Sequence, residues 1–287
     1  MRAFAALVLA VCGCYHPTVA SDVPCGTGGA CPNGQSCDFT QTPPTCTSGD
    51  GGTSRGSDAN ISIIDAPPDG KSTVLPDARQ PDAFVVPIAY VQHDTVKPTT
   101  SPTTLTLPSM VTAHDTIIVC FNFPTSAGAS LTSLTDSLGN TYNVVVNNVV
   151  GNSEQHYIAV AYDVAGGADT LSLALSATVS GADMLVVEYS GIASTNAYDV
   201  DAYASGTTST AMTTISSGTA TTTFAHELIV GYAEAPSATM GTGFTMRAMQ
   251  SGNIVEDREV YATGTYAATA VTGAGGWEML MATFKGQ

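Results

Sequence analysis

The sequence predicts an all-β protein: an antiparallel β-sandwich, jelly-roll-like, preceded by a small disulfide-rich segment and a disordered linker. Three observations carry that expectation. After residue 85, short apolar runs recur at near-regular spacing between Gly, Ser, Thr, Asn and Asp, with no helical period. Hydroxyl and β-branched residues dominate, with 40 Thr and 25 Ser among 287 residues. Four cysteines crowd into residues 25–46, just ahead of a stretch rich in Pro, Gly and Asp.

Charge narrows the partners. Eight Lys+Arg stand against 24 Asp+Glu, a formal net charge of −16, and only 11% of residues are charged. No Lys or Arg occurs between Lys97 and Arg247. Phosphate backbones and anionic membrane surfaces are gripped through Lys and Arg, so no nucleic-acid partner is expected. A hydrophobic share of 44% suffices for a packed core and argues against wholesale disorder.

Residues 1–13 read as a signal peptide, with Arg2 as the positive end and Ala3 to Val11 as a short apolar run. The run falls far short of the ~20 apolar residues of a membrane-spanning helix. The junction Val11-Cys12-Gly13-Cys14 resembles a bacterial lipobox. The resemblance implies cleavage before Cys14, acylation of that cysteine, and membrane attachment through lipid. Tyr15 in place of Asp implies the outer membrane or cell surface as the destination. The alternative is cleavage near Ala20 and a soluble exported chain. Each buried CH₂ contributes about 0.8 kcal/mol, so several acyl chains anchor durably.

Residues 14–46 form the lipidated N-terminus and a cysteine-rich mini-module. Cys25, Cys31, Cys37 and Cys46 have the spacing x5, x5, x8, which on an exported chain predicts two disulfides with three pairings open. The absence of Cys-x2-Cys pairs argues against zinc. The phrase Cys31-Pro-Asn-Gly-Gln-Ser-Cys37 resembles segments near the lipidated end of lipoproteins from social and predatory soil bacteria. Residues 47–84, with Asp65-Ala-Pro-Pro-Asp-Gly70 and two Pro-Asp-Ala phrases, read as a low-complexity linker. As a random coil, these 38 residues span roughly 34 Å.

Residues 85–287 form the sandwich domain. Strands are expected at 87–92, 104–107, 115–123, 131–135, 141–147, 155–163, 170–175, 183–190, 198–203, 212–215, 226–234, 243–249, 257–263 and 277–285. Five runs share a polar start, apolar residues and a closing aromatic: Asp115–Phe121, His156–Tyr162, Asp183–Tyr189, Glu227–Tyr232 and Glu278–Phe284. Continuous apolar residues imply central strands buried on both faces. The demand for buried strands explains the shared phrase without an internal repeat. Cys120, inside the first run, reads as a buried inert thiol. The turn Asp136-Ser-Leu-Gly-Asn-Thr-Tyr142 resembles a phrase of large β-sandwich domains in secreted bacterial surface proteins, which implies the same fold and an extracellular setting. Gly139 and Asn140 tolerate positive φ there, and Asp136 can accept backbone amides.

Catalytic motifs are missing from residues 85–287: no Gly-x-Ser-x-Gly, His-Glu-x-x-His or phosphate-binding loop occurs there. The adjacent pairs His114-Asp115 and His226-Glu227 point to opposite faces of a strand, which argues against dyads. Candidate ligand-binding residues are Asp136, Asn140, Asp199, Asp201 and Trp277. Asp199 and Asp201 are two apart and are expected to share a face; Glu256, Asp257 and Glu259 form a second acidic group. No catalytic residue, metal ligand or cofactor is assigned; calcium at the Asp136–Asn140 turn is the alternative to a structural hairpin. The expected function is a cell-surface lipoprotein displaying a binding or adhesion module, for an extracellular glycan or a protein. The alternatives are a polysaccharide-degrading enzyme on the same fold and a purely structural envelope protein.

Overall fold

The computed structural model describes residues 23–24, 35–38, 45–48, 85–125, 128–150 and 154–287, in two units divided between Pro76 and Asp77. All regular structure among the described residues is antiparallel β. No helix among them is long and apolar enough to cross a membrane. The signal peptide, Cys14, Cys25, Cys31 and most of the 47–84 linker lie outside the described residues. In the first unit β1 (Val23–Pro24), β2 (Gln35–Asp38) and β3 (Thr45–Ser48) form a sheet in the order β1-β3-β2. Its register sets Cys37 directly opposite Cys46.

The second unit opens with eight strands: β4 (Ala89–Val96), β5 (Thr103–Thr106), β6 (Thr116–Pro124), β7 (Leu131–Asp136), β8 (Asn143–Val150), β9 (Glu154–Ala161), β10 (Thr170–Leu175) and β11 (Asp183–Ser190). They build a five-stranded sheet, β4-β11-β6-β9-β8, and a three-stranded sheet, β5-β10-β7. Ten more follow. They are β12 (Tyr198–Thr208), β13 (Thr213–Ser216), β14 (Ala220–Thr221), β15 (Glu227–Glu234), β16 (Thr239–Met240), β17 (Thr245–Gln250), β18 (Asn253–Val260), β19 (Thr265–Tyr266), β20 (Thr269–Thr272) and β21 (Gly275–Lys285). These give a five-stranded sheet, β12-β21-β15-β18-β17, a three-stranded sheet, β13-β20-β16, and the small pair β14-β19.

The two strand orders are the same order written twice. First, third and last long strands take the same places in each half, so residues 85–190 and 191–287 are two copies of one topology. The sequence phrases follow suit. His114-Asp115 through Pro124 matches His226-Glu227 through Pro236, and Asp183-Met-Leu through Tyr189-Ser-Gly matches Glu278-Met-Leu through Phe284-Lys-Gly. In both copies the first acid of the last strand lies opposite the same position of the central one: Asp183 faces Asn122, and Glu278 faces Glu234. An internal repeat is therefore present, contrary to the expectation that strand chemistry alone explains the shared phrase.

Alternation explains why the central strands carry unbroken apolar runs. In β6, Ile118 and Cys120 point into a core shared with Leu228, Val230 and Tyr232 of β15, so the two five-stranded sheets pack face to face. Their odd-numbered neighbours Ile117, Val119 and Phe121 point the other way, against Leu105, Leu171 and Leu173 of the first three-stranded sheet. Ile229 and Met281 likewise meet Ile215 and Ala270 of the second. The result is four layers with three cores. Phe121, Phe123 and Phe284 are fully buried, and each contributes about 1.5–3 kcal/mol relative to exposure. Cys120 is buried and free, and burial pushes its thiol well above the usual range.

Candidate functional site

Two polar features lie where the repeats meet, at opposite ends of β9. The first is a groove of about 740 Å³ beyond its C-terminal end. The β7–β8 turn supplies Asn140 and Thr141, β8 supplies Asn143, and Tyr162 and Asp163 follow β9. The connection between the repeats adds Ser194, Thr195 and Asn196, and the second repeat adds Tyr198 and Lys285. Amides, hydroxyls and two tyrosines therefore line it, with one acid and one cation.

The turn beside this groove is built around Asp136. Its Oδ1 accepts the amides of Leu138 (3.1 Å) and Asn140 (2.9 Å), and its Oδ2 accepts Asn140 Nδ2 (2.7 Å) and the Tyr142 hydroxyl (3.1 Å). Gly139 adopts φ +78°, the left-handed conformation that favours glycine. Asn140 Oδ1 in turn accepts the Ala165 amide. The carboxylate is thus committed to its own loop, and Asn140 is the one candidate of the five that the structure places on the groove lining.

The other candidates go elsewhere. A register shift between Tyr198 and Asp201 breaks the alternation expected of Asp199 and Asp201. Asp199 accepts the Thr223 amide and hydroxyl and lies 3.4 Å from Lys285 Nζ; burial would raise its carboxyl, but the Thr223 hydrogen bonds, helped by Lys285, hold it below the ordinary range. Asp201 instead receives the Tyr198 hydroxyl. Trp277 packs half-buried over Gly206 against the third core, where a Cβ on residue 206 would meet the indole at 2.8 Å. The second acidic group is also spoken for. Asp257 takes the Tyr189 hydroxyl and Arg247 Nε, Glu259 takes His226 Nε2 and the Ile88 amide, and Glu256 takes the Gly241 amide. His114 pairs with Asp163 at 2.7 Å rather than with Asp115, so neither adjacent His–acid pair is a dyad.

The second feature, at the N-terminal end of β9, was not legible as a site. Even-numbered residues of β9 face the shared core, so His156 and Glu154 extend that face past Ile158 and Val160. From the other sheet, Glu234 and Glu278 do the same beyond Tyr232 and Leu280. His156 and Glu278 have fully buried side chains, and those of Glu154 and Glu234 are 22% and 24% exposed. His156 Nδ1 lies against a Glu278 carboxylate oxygen; Nε2 faces Glu154 Oε2 at 3.8 Å and Glu234 Oε2 at 3.6 Å. Burial alone would lower this imidazole, but Glu234 and Glu278 outweigh it and hold its pKa up at about 9. Next to it, Asn122 donates to Glu154 Oε2 at 2.7 Å and accepts the Tyr232 hydroxyl at 2.8 Å. Glu154, His156 and Glu234 are the one group among the described residues whose donor atoms are arranged to hold a metal ion.

All five polar strand starts noted in the sequence are buried: Asp115, His156, Asp183, Glu227 and Glu278. Asp115 and Glu227 occupy the same position in the two repeats, and each has a carboxylate oxygen with no hydrogen-bond partner. Burial raises both to about 7, reinforced by Glu188 beside Asp115 and by Asp199 beside Glu227. In comparisons with known proteins, no protein-family model, curated protein or solved structure matches the chain.

Proposed function

We propose that this chain is an exported lipoprotein, anchored through Cys14, whose jelly-roll-like β-sandwich domain is a surface-displayed binding module for a neutral glycan. The groove between the repeats carries the reading. Sugars are recognised by amides and hydroxyls that hydrogen-bond ring substituents and by aromatic rings that cover their apolar faces. Asn140, Thr141, Asn143, Ser194, Thr195 and Asn196 with Tyr162 and Tyr198 supply that chemistry. A polysaccharide-cleaving role finds less support, because Asp199, Asp201 and the 256–259 acids are each bonded to partners of their own. The cysteine-rich segment joins the proposal as a disulfide-stapled spacer, and the Cys37–Cys46 register keeps that pairing among the three.

The test is affinity electrophoresis of the full chain through gels that each contain one neutral polysaccharide. Selective retardation in at least one gel is expected, and Asn143→Ala with Thr195→Ala, both exposed on the groove, should abolish it. Equal mobility in every gel overturns the glycan reading. Loss of acylation-dependent membrane attachment in Cys14→Ala tests the anchor separately; unchanged attachment overturns it.

A further inference from the structure

We infer that the buried cluster at the start of β9 is a divalent transition-metal site that joins the two repeats, with His156 Nε2, Glu154 and Glu234 as ligands and Glu278 as the group that orients the imidazole. The inference is independent of the glycan reading, since the cluster lies about 20 Å from Tyr162 along β9.

Four observations support it. First, the spacing suits coordination and not hydrogen bonding. Tetrahedral ligands at about 2.0–2.2 Å from an ion stand roughly 3.3–3.6 Å apart. Glu234 Oε2 lies 3.6 Å and Glu154 Oε2 3.8 Å from His156 Nε2, beyond hydrogen-bond reach and close to that edge. Second, both ring nitrogens of the fully buried His156 lack a well-formed hydrogen bond, and Nε2 has the carboxylates of Glu154 and Glu234 as neighbours. Buried polar atoms are ordinarily satisfied, and a divalent ion that displaces the ring proton satisfies the imidazole and both acids together. Third, the far ring nitrogen rests on the fully buried Glu278. When an ion displaces the Nε2 proton, a carboxylate on Nδ1–H holds the tautomer that presents the Nε2 lone pair, the arrangement that orients and strengthens metal-bound histidines. Fourth, Asn122 Nδ2 holds Glu154 Oε2 at 2.7 Å, so a ligand carboxylate is itself positioned.

The donor set selects the ion class. One imidazole with two carboxylates favours zinc, manganese or a neighbouring transition ion, whereas calcium and magnesium prefer oxygen alone. Partial exposure of Glu154 and Glu234 leaves an entry path and room for a water ligand. Because Glu154 and His156 come from the first repeat and Glu234 and Glu278 from the second, an ion there clamps one repeat to the other.

The test is titration of the full chain, after chelator treatment, with Zn²⁺ and separately with Ca²⁺, followed by calorimetry and thermal melting. One Zn²⁺ with a matching rise in melting temperature is expected, and no comparable response to Ca²⁺. Glu154→Gln, at a partly exposed position that leaves the core intact, should weaken this zinc event at least tenfold. Glu278→Gln should weaken it by about ten- to hundredfold through misorientation of the ring. Absence of zinc binding by the parent chain overturns the inference. Zinc binding that both variants leave unchanged also overturns it, since the ion would then sit elsewhere, for example among the cysteines.

Discussion

The two repeats share a topology but differ at the end where their central sheets meet, and the difference separates structural from reactive polarity. His156 and Asn253 occupy matching places. His156 lies opposite Asn122 in the first repeat, and Asn253 is one step past the Ala233–Ile254 pair in the second. Each reaches across to the first acid of the other repeat's last strand: Asn253 Nδ2 donates to Asp183 Oδ2 at 2.9 Å, and His156 contacts Glu278. Two residues earlier, Ser251 also donates to Asp183, whereas Glu154 brings a carboxylate towards His156. One cross-contact is therefore closed by neutral donors that neither titrate nor ligate. The other keeps an imidazole among three acids. A duplicated fold supplied two equivalent seams, and only one carries a group able to bind an ion.

The largest effect expected from breaking this comparison lies at Tyr232, whose equivalent in the first repeat is Cys120. Tyr232→Ala empties the shared core and removes the hydroxyl bonded to Asn122, and should cost about 3–5 kcal/mol in urea unfolding. Cys120→Ala removes far less and should cost about 1 kcal/mol. A Tyr232 variant as mild as the Cys120 variant would show that the sheets do not pack through this core. Next comes Asn253→Leu, which strips a buried donor from Asp183 and should cost about 3 kcal/mol. A change under about 1 kcal/mol would mean that Ser251 alone satisfies the acid.

The smallest effect is the dependence on pH. Asp115 and Glu227, like Glu256, which burial also raises to about 7, titrate near 4 once unfolded. Groups raised on folding add stability that is complete below the unfolded value and fades as pH rises through the folded one. Between pH 5 and pH 8 the melting temperature should therefore fall. Asp199 and Glu259, whose carboxyls are lowered, act with the opposite sign only as pH drops below about 4. Replacing Asp115 with Asn and Glu227 with Gln together should flatten the decline; an undiminished slope would place its origin in other groups.

Strand patterning carried most of the fold. Each of the fourteen segments expected after residue 85 has a counterpart, and the missed strands β14, β16, β19 and β20 are only two to four residues long. The segment read at 257–263 begins four residues earlier, at Asn253, because Glu256 looks like a loop acid yet is buried in β18. The shared phrase did not establish the repeat because its copies share hydrophobic pattern more than identity. The cluster at His156 escaped notice for a different reason. Its partners Glu234 and Glu278 are distant in sequence and come together only through the pairing of the two central sheets. The available signal was parity: His156 falls in step with Ile158 and Val160, and Glu278 with Leu280 and Ala282. A polar residue in phase with a core face is buried, whatever its place at a strand's start.

Val85 and Gln287 line the same apolar depression, beside Phe224 and His226. The path of the chain through the domain is thus nearly a closed loop, and the exposed residues Ser194, Thr195 and Asn196 are the natural place to open it. Joining residue 287 to residue 85 and cutting at that connection would give a circular permutant that begins with the second repeat. It would keep every strand pairing while exchanging the order in which the two copies are made.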